Sequence, residues 1–192
     1  MSLVPWGIWA ASGGAVAAVD SYDLLVTEIL TSSQSSVTFA SLGDYAADYQ
    51  HLQIRMVGRS DRSSRDDENL RIRFNSDSDS NYSNHYLQTD GGSVTSGAET
   101  NNNAMWARSL TASSSPSDSF GVFVIDVLDF SNTNKNTTAR TLGGSIDDDF
   151  IGLSSGAWFN TAALTSIELG TQFSNNFVAR SRFSIYGIRK AA

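Results

Sequence analysis

The sequence predicts a single all-β domain of 192 residues, an antiparallel β-sandwich of jelly-roll-like kind with an extended N-terminal arm. Three observations predict it. Apolar and polar residues alternate with period two along most of the chain, as strands covered on one face require. Clusters of Asn, Asp, Ser and Gly fall between the alternating runs, where turns need side chains that bond their own backbone or tolerate left-handed φ. Charged residues make up only 17 % and Lys occurs twice, whereas a fold of exposed helices would need more Lys and Glu. The 40 % of hydrophobic residues suffices for one core, and a chain of this length buries roughly 70 % of its unfolded surface. It is short for two cores.

Residues 1–20 read as an arm and 21–192 as the sandwich. Leu3 to Val19 is apolar, but Pro5, Gly7, Gly13 and Gly14 interrupt it and no basic residue precedes it. Neither a secretory signal nor a spanning helix is therefore expected. Trp6, Ile8 and Trp9 are too apolar to stay in water, so they are expected to anchor the arm on the domain, a sister subunit or another protein. Strands are then expected at Tyr22 to Leu30, Ser36 to Phe39, Leu52 to Arg59 and Leu70 to Phe74. Further strands follow at Met105 to Leu110, Phe120 to Leu128, Thr137 to Ile146, Ala157 to Phe159, Ser166 to Leu169 and Ser181 to Ile188. Ser41 to Tyr49 has room for a helical turn. The run from Phe120 to Ile125 is apolar on both faces, as in a strand covered by the core on one side and by a neighbouring sheet or subunit on the other.

The charge is −7 and the isoelectric point near 4.6, which argues against nucleic acid as a partner. Six of the eleven Arg residues lie between Arg55 and Arg73. Arg55, Arg59, Arg71 and Arg73 alternate outward on two expected strands; if those strands pair, they form one guanidinium patch. That patch either pairs locally with Asp61, Asp66, Asp67 and Glu68 or meets an acidic neighbouring subunit.

Chemistry leaves no comparable trace. There is no Cys, hence no disulfide, thiolate metal site or cysteine nucleophile. Asn75, Asp77, Asp79 and Asn81 alternate like a calcium loop, but Gly at its sixth position and Glu at its twelfth are missing in either register, which leaves a hairpin turn. Asp147-Asp148-Asp149 reads as a solvated tip. His51 and His85 lack ligand or triad spacing. No catalytic residue, metal or cofactor is expected.

Pro5-Trp6-Gly7, Tyr22-Asp23-Leu24-Leu25, Ser36-Val37-Thr38-Phe39 and His51-Leu52-Gln53-Ile54-Arg55 form an ordered series. It continues through Leu70-Arg71-Ile72-Arg73-Phe74-Asn75, Ser80-Asn81-Tyr82, His85-Tyr86, Ile125-Asp126-Val127-Leu128-Asp129-Phe130, Lys135-Asn136 and Ser181-Arg182-Phe183-Ser184-Ile185-Tyr186-Gly187-Ile188. Over nearly the whole chain this series resembles a family of short virion proteins encoded by tailed bacteriophages, especially those of aquatic bacteria. The resemblance implies a non-enzymatic part of the particle, made in the host cytoplasm. The leading expectation is a capsid decoration (cement) protein that touches the major capsid protein or another virion protein as a homo-oligomer, a trimer by preference, without nucleic acid or membrane. The alternative is a minor tail or fibre protein in which Tyr82, Tyr86 and Trp106 stack on host glycans.

Overall fold

The computed structural model describes residues 21–145 and 149–190. Twelve strands form two antiparallel sheets packed face to face, the all-β sandwich that the alternation predicts. The strands are β1 (Tyr22–Ile29), β2 (Ser36–Phe39), β3 (Tyr49–Gly58), β4 (Asp67–Phe74), β5 (Tyr82–Thr89) and β6 (Val94–Asn102). They continue as β7 (Met105–Thr111), β8 (Gly121–Leu128), β9 (Thr137–Ser145), β10 (Phe150–Trp158), β11 (Ile167–Thr171) and β12 (Arg182–Arg189). Among the described residues a 3-10 turn, Leu42–Tyr45, occupies the segment with room for a helix, and its Leu42 is buried at the edge of the core.

The large sheet runs β1-β12-β3-β8-β9-β10-β5-β6 and the small one β2-β11-β4-β7. Setting aside the hairpins β5–β6 and β9–β10 leaves two four-stranded sheets, β1-β12-β3-β8 over β2-β11-β4-β7. In that frame each chain-consecutive pair, β1 and β2 or β3 and β4, is split between the sheets. The two hairpins extend the large sheet past β8, so that β10 and β9 lie over β7.

The core follows from the alternation. Leu52, Ile54 and Met56 of β3, Phe123, Ile125 and Val127 of β8, and Phe183 and Ile185 of β12 point inward from the large sheet. They meet Val37 and Phe39 of β2, Leu70, Ile72 and Phe74 of β4, and Ile167 and Leu169 of β11. Phe74, Tyr82 and Trp158 add an aromatic cluster with ring centroids 5.9–6.4 Å apart. The Tyr82 hydroxyl accepts the Phe74 N–H at 3.1 Å and donates to the Asp77 carbonyl at 3.1 Å, and burial pushes its pKa up to about 12.

One expectation is corrected here. β3 and β4 do not pair; they belong to different sheets, because the chain crosses from one layer to the other after Gly58. Buried Ser60 marks the crossing, where its N–H bonds the Thr111 carbonyl at 2.9 Å. The four arginines therefore do not share one face.

Candidate interaction face

The inserted hairpin β9–β10 inverts the usual assignment of small and large side chains. Its inward positions are Ala139, Thr141, Gly143 and Ser145 on β9 and Gly152, Ser154 and Gly156 on β10. The cause is close approach of β7 in the layer beneath and of the neighbouring strands β5 and β8. A Cβ on Gly152 would sit 2.7 Å from Arg108 Cβ, and one on Gly156 2.5 Å from both Met105 Cγ and the Ser83 carbonyl oxygen. On β9, a Cβ on Gly143 would lie 2.2 Å from the Phe123 ring. With the inner side that tight, the larger aliphatics of the hairpin stand outward.

Registers then align them across strands. In one row Val124 of β8 faces Leu142 of β9, Leu142 faces Leu153 of β10, and Leu153 faces Leu87 of β5. In the next row Val57 of β3 faces Val122, which faces Gly144; Gly144 faces Ile151, and Thr89 connects Ile151 to Val94 of β6. These eight aliphatic side chains are 38 % (Val124) to 73 % (Val94) exposed. The first row is a continuous ridge. The second is notched at Gly144, where a depression of about 480 Å³ opens between Val122 and Ile151.

Polar groups border the two rows on both sides. Beyond the ridge runs the row Gln53, Asp126, Arg140, Ser155, His85. Its charges are satisfied internally: the Asp126 carboxylate accepts from Gln53 Nε2 at 2.8 Å and from Arg140 Nε at 3.0 Å. Beyond the notch lie the turns carrying Asp90, Gly91 and Asp149. An apolar centre with a polar rim is the anatomy of an association surface, and a patch of this extent exceeds what single exposed aliphatics produce.

The residues singled out in the sequence fall elsewhere. Trp6, Ile8 and Trp9 lie outside the described residues. Arg55 is exposed on the outer face of the large sheet, its guanidinium 5.2 Å from the Tyr22 ring centroid and 4.9 Å from that of Tyr186. Arg71 and Arg73 occupy the opposite side of the molecule, on the small sheet. Arg71 pairs with Glu168 at 2.9 Å, and Arg73 Nε donates to the Asn103 carbonyl at 3.0 Å. Arg59 does not point outward at all; it is 6 % exposed and its guanidinium donates to the carbonyls of Ser113, Ser115, Pro116 and Ser119 at 2.6–3.1 Å.

Asp77 holds a turn, as expected for that stretch. One carboxylate oxygen accepts the Asp79 N–H at 2.8 Å; the other accepts from Asn81 Nδ2 at 2.8 Å and Trp158 Nε1 at 2.7 Å. Burial works to raise its pKa, but these three bonds outweigh burial and hold it below the usual carboxylate range. His51 is structural too: its Nδ1 accepts the Asp129 N–H at 2.9 Å. The glycan-stacking aromatics are committed elsewhere. Tyr82 is fully buried, Trp106 is 8 % exposed, and Tyr86 lies under the Arg108 guanidinium at 4.0 Å. A polar depression of about 500 Å³ at Gln50, Asn132, Asn134 and Lys190 also exists, but its Asp129 carboxylate is held by Lys135 and by Gln50 Nε2.

Sequence reading flagged Val122 and Val124 through the double-sided apolar run of β8. It missed Leu87, Leu142, Ile151 and Leu153. Leu142 lay in an expected strand, but period two does not say which side of a strand is the core, and Leu87, Ile151 and Leu153 lay where no strand was expected. The small residues between them, Gly152 and Gly143, carried that signal. Comparison with protein-family models and with curated proteins finds no match for the chain.

Proposed function

We propose that this chain is a structural protein of a tailed-bacteriophage particle, a decoration protein bound in many copies to the capsid exterior. The observation that carries the reading is the rimmed aliphatic face of the large sheet. It is a broad, shallow face built on paired strands of the large sheet. Enzyme and small-ligand sites are concave and converge polar groups on a point. A broad apolar face with its charges at the rim suits repeated contact between protein subunits instead. The resemblance to phage virion proteins supplies the setting.

We also take the frame β1-β12-β3-β8 over β2-β11-β4-β7 as a jelly roll. The splitting of consecutive strands between sheets, with β11 and β12 returning between the first four strands, supports that reading. The role is additive burial: each copy contributes one modest contact, and symmetry multiplies it over the shell. Trp6, Ile8 and Trp9 of the arm are the proposed anchor to the major capsid protein.

The test is copy number. Quantitative mass spectrometry of purified virions, referenced to the major capsid protein, is expected to give a ratio approaching that of the capsid subunit. A ratio of a few copies per particle would move the protein to the tail, and absence from the virion would refute the reading.

A further inference from the structure

The proposed function treats the aliphatic face as an assembly contact, and the inference below rests on that reading by naming its occupant. We infer that the face is covered by a second copy of this chain, turned about a twofold axis that runs along the face between the row of Leu142 and Leu153 and the row of Gly144 and Ile151.

Area comes first. Half-exposed aliphatics of this size each present on the order of 100 Å², so the eight offer roughly 700 Å² before any rim residue is counted, close to the ~800 Å² that each partner gives a standard interface. Composition comes second. None of the eight positions is charged; charges stand at the ends of the rows, Arg55 beside Val124 and Arg182 beside Val57, and beyond the ridge, where Asp126 and Arg140 pair at 3.0 Å. The centre of the face therefore offers a partner no charge, and interfaces between identical subunits are the more apolar class.

Shape and symmetry decide the occupant. A ridge centred on Leu142 and Leu153 lies beside a notch at Gly144, walled by Val122 and Ile151. A face that carries both forms fits a copy of itself rotated by half a turn, with the sheets stacked as in ordinary sheet-on-sheet packing. A threefold ring, the arrangement expected from the sequence, needs two different complementary patches on each copy. Among the described residues, the outer side of the small sheet presents Thr38, Glu168, Arg71 and Arg73, which complement no aliphatic ridge. The twofold uses one patch against itself and closes.

The experiment uses the full chain in solution at micromolar concentration. Light scattering coupled to size exclusion is expected to give twice the 20.7 kDa chain mass. Leu142→Glu with Leu153→Glu is expected to give a monomer with unchanged circular dichroism, because both side chains already stand in solvent in the single subunit. The milder Leu153→Ser is expected to weaken dimerisation at least tenfold. The chain has no cysteine, so a single introduced thiol reports cleanly. When chains carrying Leu153→Cys are mixed with chains carrying Ile151→Cys, the mixed pair is expected to oxidise to a covalent dimer, which needs the two Cβ atoms within about 4.5 Å. Thr38→Cys on the small sheet is expected not to.

A monomeric wild-type chain would overturn the inference, as would a dimer that survives the double Glu variant or a trimer. Virion copy number is read separately. A monomer found in capsid-like numbers on particles defeats the twofold contact and leaves the virion role standing; a face-to-face dimer absent from virions does the reverse.

Discussion

Arg59 carries a full charge into a site that is 6 % exposed, and among the described residues no carboxylate lies within ion-pair distance of it. What compensates the charge is a ring of four carbonyl oxygens from the loop between β7 and β8. That loop has little apolar content of its own, so the guanidinium is its internal scaffold. Arg59→Met is expected to destabilise the protein by about 3 kcal/mol and to make the loop cleavable by protease before the rest of the fold. Arg59→Lys recovers only part, because an ammonium has three donors and no planar fork. Asp77 gives a pH prediction. Its folded pKa lies below its unfolded one, so its contribution is fully present above the ordinary carboxylate pKa and is lost as pH falls through the folded value. Asp77→Asn is expected to be less stable than wild type at pH 7, by about 1–2 kcal/mol. Thermal melts across pH should show that gap closing under acid. Buried Glu68 acts with the opposite sign: burial raises its pKa, so it weakens the fold as pH rises through that raised value.

Hairpin β9–β10 shows how neighbours decide what an element's sequence means. Its inward Gly152 and Gly156 exist because β7 lies almost against the backbone. Gly156→Ala is expected to cost about 2 kcal/mol or more, since one obstructing atom is a backbone carbonyl 2.5 Å away and cannot swing aside. Leu153→Ala one strand face away should cost far less within a single subunit, and parallel denaturant melts would compare the two. The strands with strong apolar alternation were legible from sequence: β1, β2, β3, β4, β7, β8, β9, β11 and β12 lie where expected, to within a few residues. Hairpin β5–β6 was not. The polar Ser83, Asn84, His85 and Gln88 left that segment without an expected strand, and Thr95 to Asn102 is nearly devoid of apolar residues. These segments become strands because the free edge of β10 offers a ladder to pair with. β10 itself was seen only at its end, as its Gly and Ser dilute the pattern. Sheet membership was equally hidden: β3 and β4 look like a hairpin in sequence, and only buried Arg59 and Ser60 mark the passage between layers.

At the scale of the molecule, the described residues supply a core with side chains from Leu30 to Ile185 and two paired sheets. The proposed anchoring role of the arm predicts that deleting Met1 to Ala18 leaves the melting temperature nearly unchanged and abolishes attachment to particles. Particle pelting assays (sedimentation of virions with bound protein) and a thermal melt would read the two effects separately. Normal attachment of the shortened chain would remove the anchoring role from Trp6, Ile8 and Trp9; failure to fold would assign the arm to the core. Among the described residues the acidic side chains lie mainly in loops and turns.

The positions of β11 and β12 impose an order on synthesis. β12 fills the gap between β1 and β3, and β11 the gap between β2 and β4. While the ribosome is still making these last strands, four earlier ones have no permanent neighbour on one side. The nascent chain therefore holds open hydrogen-bonding edges until β11 and β12 emerge, and closure then depends on contacts between distant parts of the chain, the slow kind. During that interval neighbouring chains on a polysome can pair with each other instead. Chaperones that shield unpaired strands would set the yield of folded chains more than their final stability does.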